Sequence, residues 1–211
     1  DPSSQSVCSI GGNIAENSGG AHCLKYGFTV HHVLEVDVVL PDGTATTIGS
    51  AALDSPGLDL LGVFIGSEGT LGVVTRATLR LLRRPEAVLT LLAGFDSIDT
   101  AGDAVSSIIR HGIVPAAVEM MDRLTIDAAE AAVQPNFPTT AAVLIVELDG
   151  PDVEVTDLFS TVEAVCRRAG AVTVEVARDP AQRDRIWKGR KAAFAAMGRI
   201  SPNYYVQDGV V

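Results

Sequence analysis

The feature that most constrains the fold is a pattern that occurs twice in the second half of the chain. Each copy is an apolar run, a stretch with helical periodicity, and a second extended run. In the first copy Ala87–Gly94 reads as a strand. Ile98, Ala101, Val105, Ile108 and Ile109 then share one helical face after an Asp96 or Ser97 cap, and Ala116–Met121 is extended again. In the second copy Ala141–Leu148 is the strand, and Leu158, Val162, Val165 and Ala169 form a stripe that Gly170 ends. Val172–Val176 closes the unit. Two such units can share one sheet with helices on a single face, so a ferredoxin-like α+β layer is expected. Asp179-Pro180 then supplies a cap and a first-turn proline for a last helix, expected to end near Met197. Its apolar face is Ile186, Trp187, Ala193, Phe194 and Met197, and Arg190 lies within that face.

The residues before Pro85 follow a different pattern. Val33–Ile48 reads as a β-hairpin around Pro41-Asp42-Gly43, and Leu60–Ile65 and Val73–Leu82 read as strands. Little helix is expected here. Arg83-Arg84-Pro85 marks the expected seam between a first domain, 1–84, and a second, 85–211. Two glycine-rich stretches, Ile10–Gly20 and Gly66–Thr75, read as loops among these strands. Glycine lets successive backbone N–H groups point into one concavity, which binds an anion without a basic side chain. Glycines between strands also serve simply as turns.

A net charge of -10 and a pI near 4.7 argue against a grip on nucleic acid or anionic lipid, so any phosphate must be held locally. Cys8, Cys23 and Cys166 are odd in number and widely spaced, which indicates neither a disulfide framework nor a zinc ribbon and fits a reducing compartment. No signal-peptide pattern and no membrane-length apolar run occurs. A cytoplasmic location is expected, with membrane association only through partner subunits. The start without methionine and the end in mid-pattern suggest a piece of a longer protein.

The runs DPSSQSVCSIGGNIAENSGGAHCLKYG, VLEVDVVLPDG and DLLGVFIGSEGTLGVVTRATLRLL resemble the PCMH-type FAD-binding domain of the vanillyl-alcohol-oxidase superfamily. Within it they are most similar to the FAD-linked oxidase branch of glycolate oxidase FAD subunits, D-lactate dehydrogenases and D-2-hydroxyglutarate dehydrogenases. WKGRKAAFAAMGRISPNYYVQDG resembles that branch's substrate-side cap. The resemblance implies the end of an FAD-binding domain followed by much of a cap, and oxidation of a D-2-hydroxy acid such as glycolate or D-lactate to the 2-oxo acid. It places the flavin and pyrophosphate against Ile10, Gly11, Gly12, Asn13, Ala15, Asn17, Ser18, Gly19 and Gly20, with His22 nearby. Glu68, Gly69, Gly72, Val73 and Val74 would lie near the adenosine half. Arg190 would bind the substrate carboxylate; on physical grounds alone, an ion pair with a protein Asp or Glu would satisfy it equally.

The resemblance puts another pyrophosphate loop before Asp1 and a histidine-rich metal and base motif after Val211. No metal site or catalytic base is therefore assigned here, and His31 and His32 are expected to have structural or surface roles. Implied partners are the hydroxy acid, an electron acceptor or partner subunit, and a second copy of the chain. The alternatives are a flavin oxidase of the same superfamily acting on a non-acid alcohol, or a non-catalytic interaction module.

Overall fold

Alternating valines make Val33–Val39 (β1) the centre of the first sheet, with Val33, Val36 and Val38 buried. The computed structural model describes residues 2–52 and 57–207. It divides the chain into two units, Asp1–Arg84 and Pro85–Val211. In the first, β1 pairs antiparallel with Ala45–Gly49 (β2) and Val73–Leu79 (β3), in the order β2-β1-β3. The Pro41-Asp42-Gly43 turn forms as its chemistry dictates: Gly43 takes φ +84° and Asp42 accepts from the Thr44 amide at 2.9 Å. Ile14, Phe64 and Ile65 complete the core with the three valines.

Two expectations for this unit are corrected. Ile10–Gly20 does not begin as a loop, because Ile10–Glu16 is a helix (α1) whose first turn is capped by Ser9 and whose end is capped by Asn17 in the left-handed conformation. Leu60–Ile65 is no strand: Leu60–Phe64 is a short helix (α3), fixed by Asp59 accepting from the Gly62 amide at 2.9 Å. A five-residue apolar run carries no usable periodicity, so the cap decides. With Cys23–Tyr26 (α2) and a 3-10 turn over Thr29–His31, the unit holds more helix than expected.

In the second unit the strands Ala87–Phe95 (β4), Ala117–Asp122 (β5), Ala142–Gly150 (β6) and Thr173–Val176 (β7) form one sheet. Its order is β5-β6-β4-β7, and every neighbouring pair is antiparallel. That is the ferredoxin-like order, with the first and third strands central. Ile98–Arg110 (α4) and Asp152–Arg168 (α6) cover one face. Leu91, Ala93, Phe95, Leu144, Val146 and Leu148 alternate into that face against Ala104, Ile108, Phe159 and Val162. Burial of each large side chain there stabilises by about 1.5–3 kcal/mol.

The expectation of helices on a single face is corrected too. Arg123–Val133 (α5), which follows β5 on an Asp122 cap, packs against Pro180–Ile200 (α7), and α7 lies on the opposite face. β6 is buried from Ala142 to Leu148 without interruption, as a strand covered on both faces must be.

Candidate functional site

A helix leaves its last carbonyls without partners, and in α1 the second glycine-rich segment supplies them. The Gly66 amide donates to the Ile14 carbonyl and the Glu68 amide to the Ala15 carbonyl, each at 2.9 Å. Gly66 at φ +83° and Glu68 at φ +54° both take left-handed backbone to do so. The two glycine-rich segments are thereby one surface.

Within that surface the residues divide by what they already do. The Asn17 side chain accepts from the Val30 amide at 2.9 Å, and the Ser18 carbonyl accepts from the Thr29 hydroxyl at 2.8 Å. A Cβ on Gly19 would meet the Phe28 ring and Cys23 Sγ within 2.6 Å, and one on Gly72 would meet the Val39 carbonyl at 2.6 Å. The Gly20 amide donates to Cys23 Sγ. Asn17, Ser18, Gly19, Gly20 and Gly72 thus hold the loops in shape. Gly11 and Gly69, by contrast, are exposed, and a Cβ on either would meet nothing within 4 Å. Gly12 is exposed as well, its amide donating to Ser9 Oγ. Ile10 and Val73 are apolar yet 57% and 64% exposed. Asn13, Ala15, His22 and Val74 are half-buried, and the Glu68 side chain is exposed.

The neighbouring histidines point apart. His31 Nδ1 accepts from the Phe28 amide at 2.9 Å, while His32 Nε2 is 2.8 Å from the Tyr26 carbonyl. Among the described residues no group of three metal-ligating side chains comes together. A concavity of about 750 Å3 opens beside β2 and α3, lined by Ile48, Ser50, Asp59 and Leu61 among others. None of the expected cofactor residues lines it.

The second unit carries its charge on the face under α7. Glu147 on β6 is 1% exposed and accepts from Thr90 Oγ1, Trp187 Nε1 and both Nε and Nη2 of Arg183, all within 2.8 Å. This bidentate contact raises the Arg183 pKa further, above its already high ordinary value. Arg185 pairs with Glu175 on β7. Arg190 donates from Nε to Glu119 on β5 at 2.7 Å, with Nη2 2.6 Å from the same carboxylate oxygen in an ion pair. The expected apolar face of α7 holds at Ile186, Trp187 and Ala193, but Phe194 is 60% exposed and sets its ring edge-on to Tyr204. Glu119 and Glu147 were not anticipated as site residues. The signal for Glu147 was present, since a carboxylate inside the run AAVLIVEL must find donors once both faces are covered.

Residues 84–211 match the family described as FAD linked oxidases, C-terminal domain, and residues 1–49 match the FAD binding domain family. The chain belongs to the FAD-linked oxidases. It is 54% identical over 212 residues to glycolate oxidase subunit GlcD of Escherichia coli (strain K12), covering 100% of this chain and 42% of that protein. The Bacillus subtilis (strain 168) GlcD is 41% identical, again over 100% of this chain and 45% of the relative. A D-lactate dehydrogenase of Anaerostipes hadrus is 32% identical over 92% of this chain and 42% of its own length. The chain therefore spans less than half the length of these curated relatives.

Among solved structures, alkyldihydroxyacetonephosphate synthase superposes with a TM-score of 0.71 at 20% identity, over 95% of this chain and 39% of that one. p-Cresol methylhydroxylase with substrate bound gives 0.69 at 14% identity, over 90% and 45%. At such identities the likeness shows a shared fold.

The family's cofactor is FAD. The first unit fits it: open backbone at Gly11 and Gly69 admits close approach, and exposed Ile10 and Val73 offer apolar cover.

Proposed function

We propose that this chain forms part of an FAD-dependent oxidoreductase that converts a D-2-hydroxy acid, such as glycolate or D-lactate, to the 2-oxo acid. The observation that carries this reading is the 54% identity to a glycolate oxidase subunit across the whole chain. FAD, when bound, supplies the acceptor for the hydride that leaves the substrate α-carbon. Gly11 and Gly69 present open backbone to the cofactor, exposed Gly12 lies beside them with its amide on Ser9, and Asn17, Ser18, Gly19, Gly20 and Gly72 keep those loops in register. Arg190 holds the substrate carboxylate; its guanidinium fork matches the planar anion, and a half-exposed position leaves it within reach.

The relatives' description as a subunit supports assembly with a partner protein. The test is anaerobic titration of the protein that carries this chain with glycolate and D-lactate, read as bleaching of flavin absorbance. A protein that stays colourless after FAD is added removes the flavoenzyme reading. In the same assay, replacing Arg190 with Met should raise KM for either acid roughly tenfold or more, as expected for loss of a charge-assisted carboxylate contact.

A further inference from the structure

We propose that Glu119 is a positioning residue that presents Arg190 to the substrate carboxylate; the proposal rests on the role of Arg190 given above. A guanidinium has two edges able to take a carboxylate in bidentate fashion, one formed by Nε with one Nη and the other by the two Nη groups. Glu119 occupies the first: Nε donates to its Oε2 at 2.7 Å, and Nη2 lies 2.6 Å from the same oxygen as an ion pair. Among the described residues the side-chain hydrogen bond and ion pair of Arg190 both go to Glu119. The terminal Nη1/Nη2 edge therefore remains for a second carboxylate, and Arg190 retains 34% exposure against 17% for Glu119.

Both ends of the pair are fixed by rigid elements. Glu119 sits within β5 in register with Ile145 of β6, so its Cα cannot drift. Arg183, Trp187 and Arg190 follow one another at intervals of four and three residues, which places them on one side of α7. The first two are tied to Glu147 of β6. The helix cannot roll without breaking that buried contact. A free arginine would scatter over many rotamers, and its Nε edge would compete with its terminal edge for the incoming anion. With Glu119 in place, one edge is taken and the other is aimed before substrate arrives.

The experiment uses the FAD-loaded protein, steady-state kinetics with glycolate and D-lactate, and FAD content as a check. Glu119→Ala should raise KM about tenfold while kcat stays within about threefold, the signature of lost ground-state positioning rather than lost chemistry. Glu119→Gln, whose amide oxygen still accepts from Nε, should recover most of the affinity. In an Arg190→Met background Glu119→Ala should add less than about twofold, because a residue acting through Arg190 has nothing left to position. Should the alanine variant fail to fold, Glu119→Asp keeps the charge but withdraws it by one methylene, and should raise KM in its place.

A lowered or unchanged KM with Glu119→Ala, or an effect that persists without Arg190, overturns the proposal and leaves the hydroxy-acid reading standing. If Arg190→Met itself leaves KM unchanged, it is the carboxylate-binding role that fails, and the positioning role falls with it.

Discussion

Glu147 stands in the otherwise apolar run Ala142–Leu148 of β6, and four bonds converge on its carboxylate from a threonine, a tryptophan and an arginine. Removing it leaves those donors facing a buried void. Glu147→Ala should therefore destabilise the second unit by on the order of 3 kcal/mol, and Glu147→Gln by less, as read from chemical denaturation. Burial of α6 residue Cys166 in the core of the second unit pushes its thiol up to about 11 from an ordinary 9.0. The folded state thus holds this proton more tightly than the unfolded one. Its contribution to stability is fully present below pH 9.0 and is lost as pH rises through about 11. At pH 8 a thiol reagent should label exposed Cys8 rapidly and spare Cys166 until the protein unfolds, a difference that peptide mass mapping would show. At this scale the sequence was half informative. Arg190 announced itself as a charge on an apolar helix face, but its partner Glu119 lies far away in sequence on an edge strand, and pairing across a fold leaves no local mark.

Where α7 meets the segment that follows α5, the packing turns on one glycine. A Cβ on Gly189 would meet Phe137 Cζ at 2.6 Å and Pro135 Cβ at 2.7 Å. Gly189→Ala should therefore cost about 1–3 kcal/mol through overpacking, despite alanine's better helix propensity, and lower Tm accordingly. A rise in Tm would show that Pro135 and Phe137 yield easily. The elements whose periodicity was long enough were legible: α4, α6, α7 and the four strands of the second sheet sit where alternation and helical stripes put them. α5 was missed because its alanine-rich face, Ala128 and Ala129, is too weakly apolar to stand out, although Asp122 offered a cap. α1 was missed for a different reason. Gly11 and Gly12 oppose helix formation, and only the Ser9 and Asn17 caps together with the packing of Ile14 overcome that cost.

For the whole molecule, each unit has its own core, and the segment from Arg80 to Arg84 is exposed and outside both sheets. Brief trypsin treatment should cut after Arg83, the Arg84–Pro85 bond being resistant, and the fragment from Arg84 onward should keep its mixed helix and strand circular dichroism. Loss of that signal would mean that the second unit folds only as part of the longer polypeptide. The family was legible from the order of its motifs; the helices on both faces of the second sheet were not, since covering a sheet twice is a property of the assembled chain. The amides of Gly66 and Glu68 on the last carbonyls of α1 have a consequence for inheritance. Two glycine-rich strips that lie far apart in the polypeptide form a single mechanical part, so a change in one shifts the footing of the other. A chimera that takes the two from different ancestors should lose flavin more readily than either parent, and lineages that alter one strip should show answering changes in its mate.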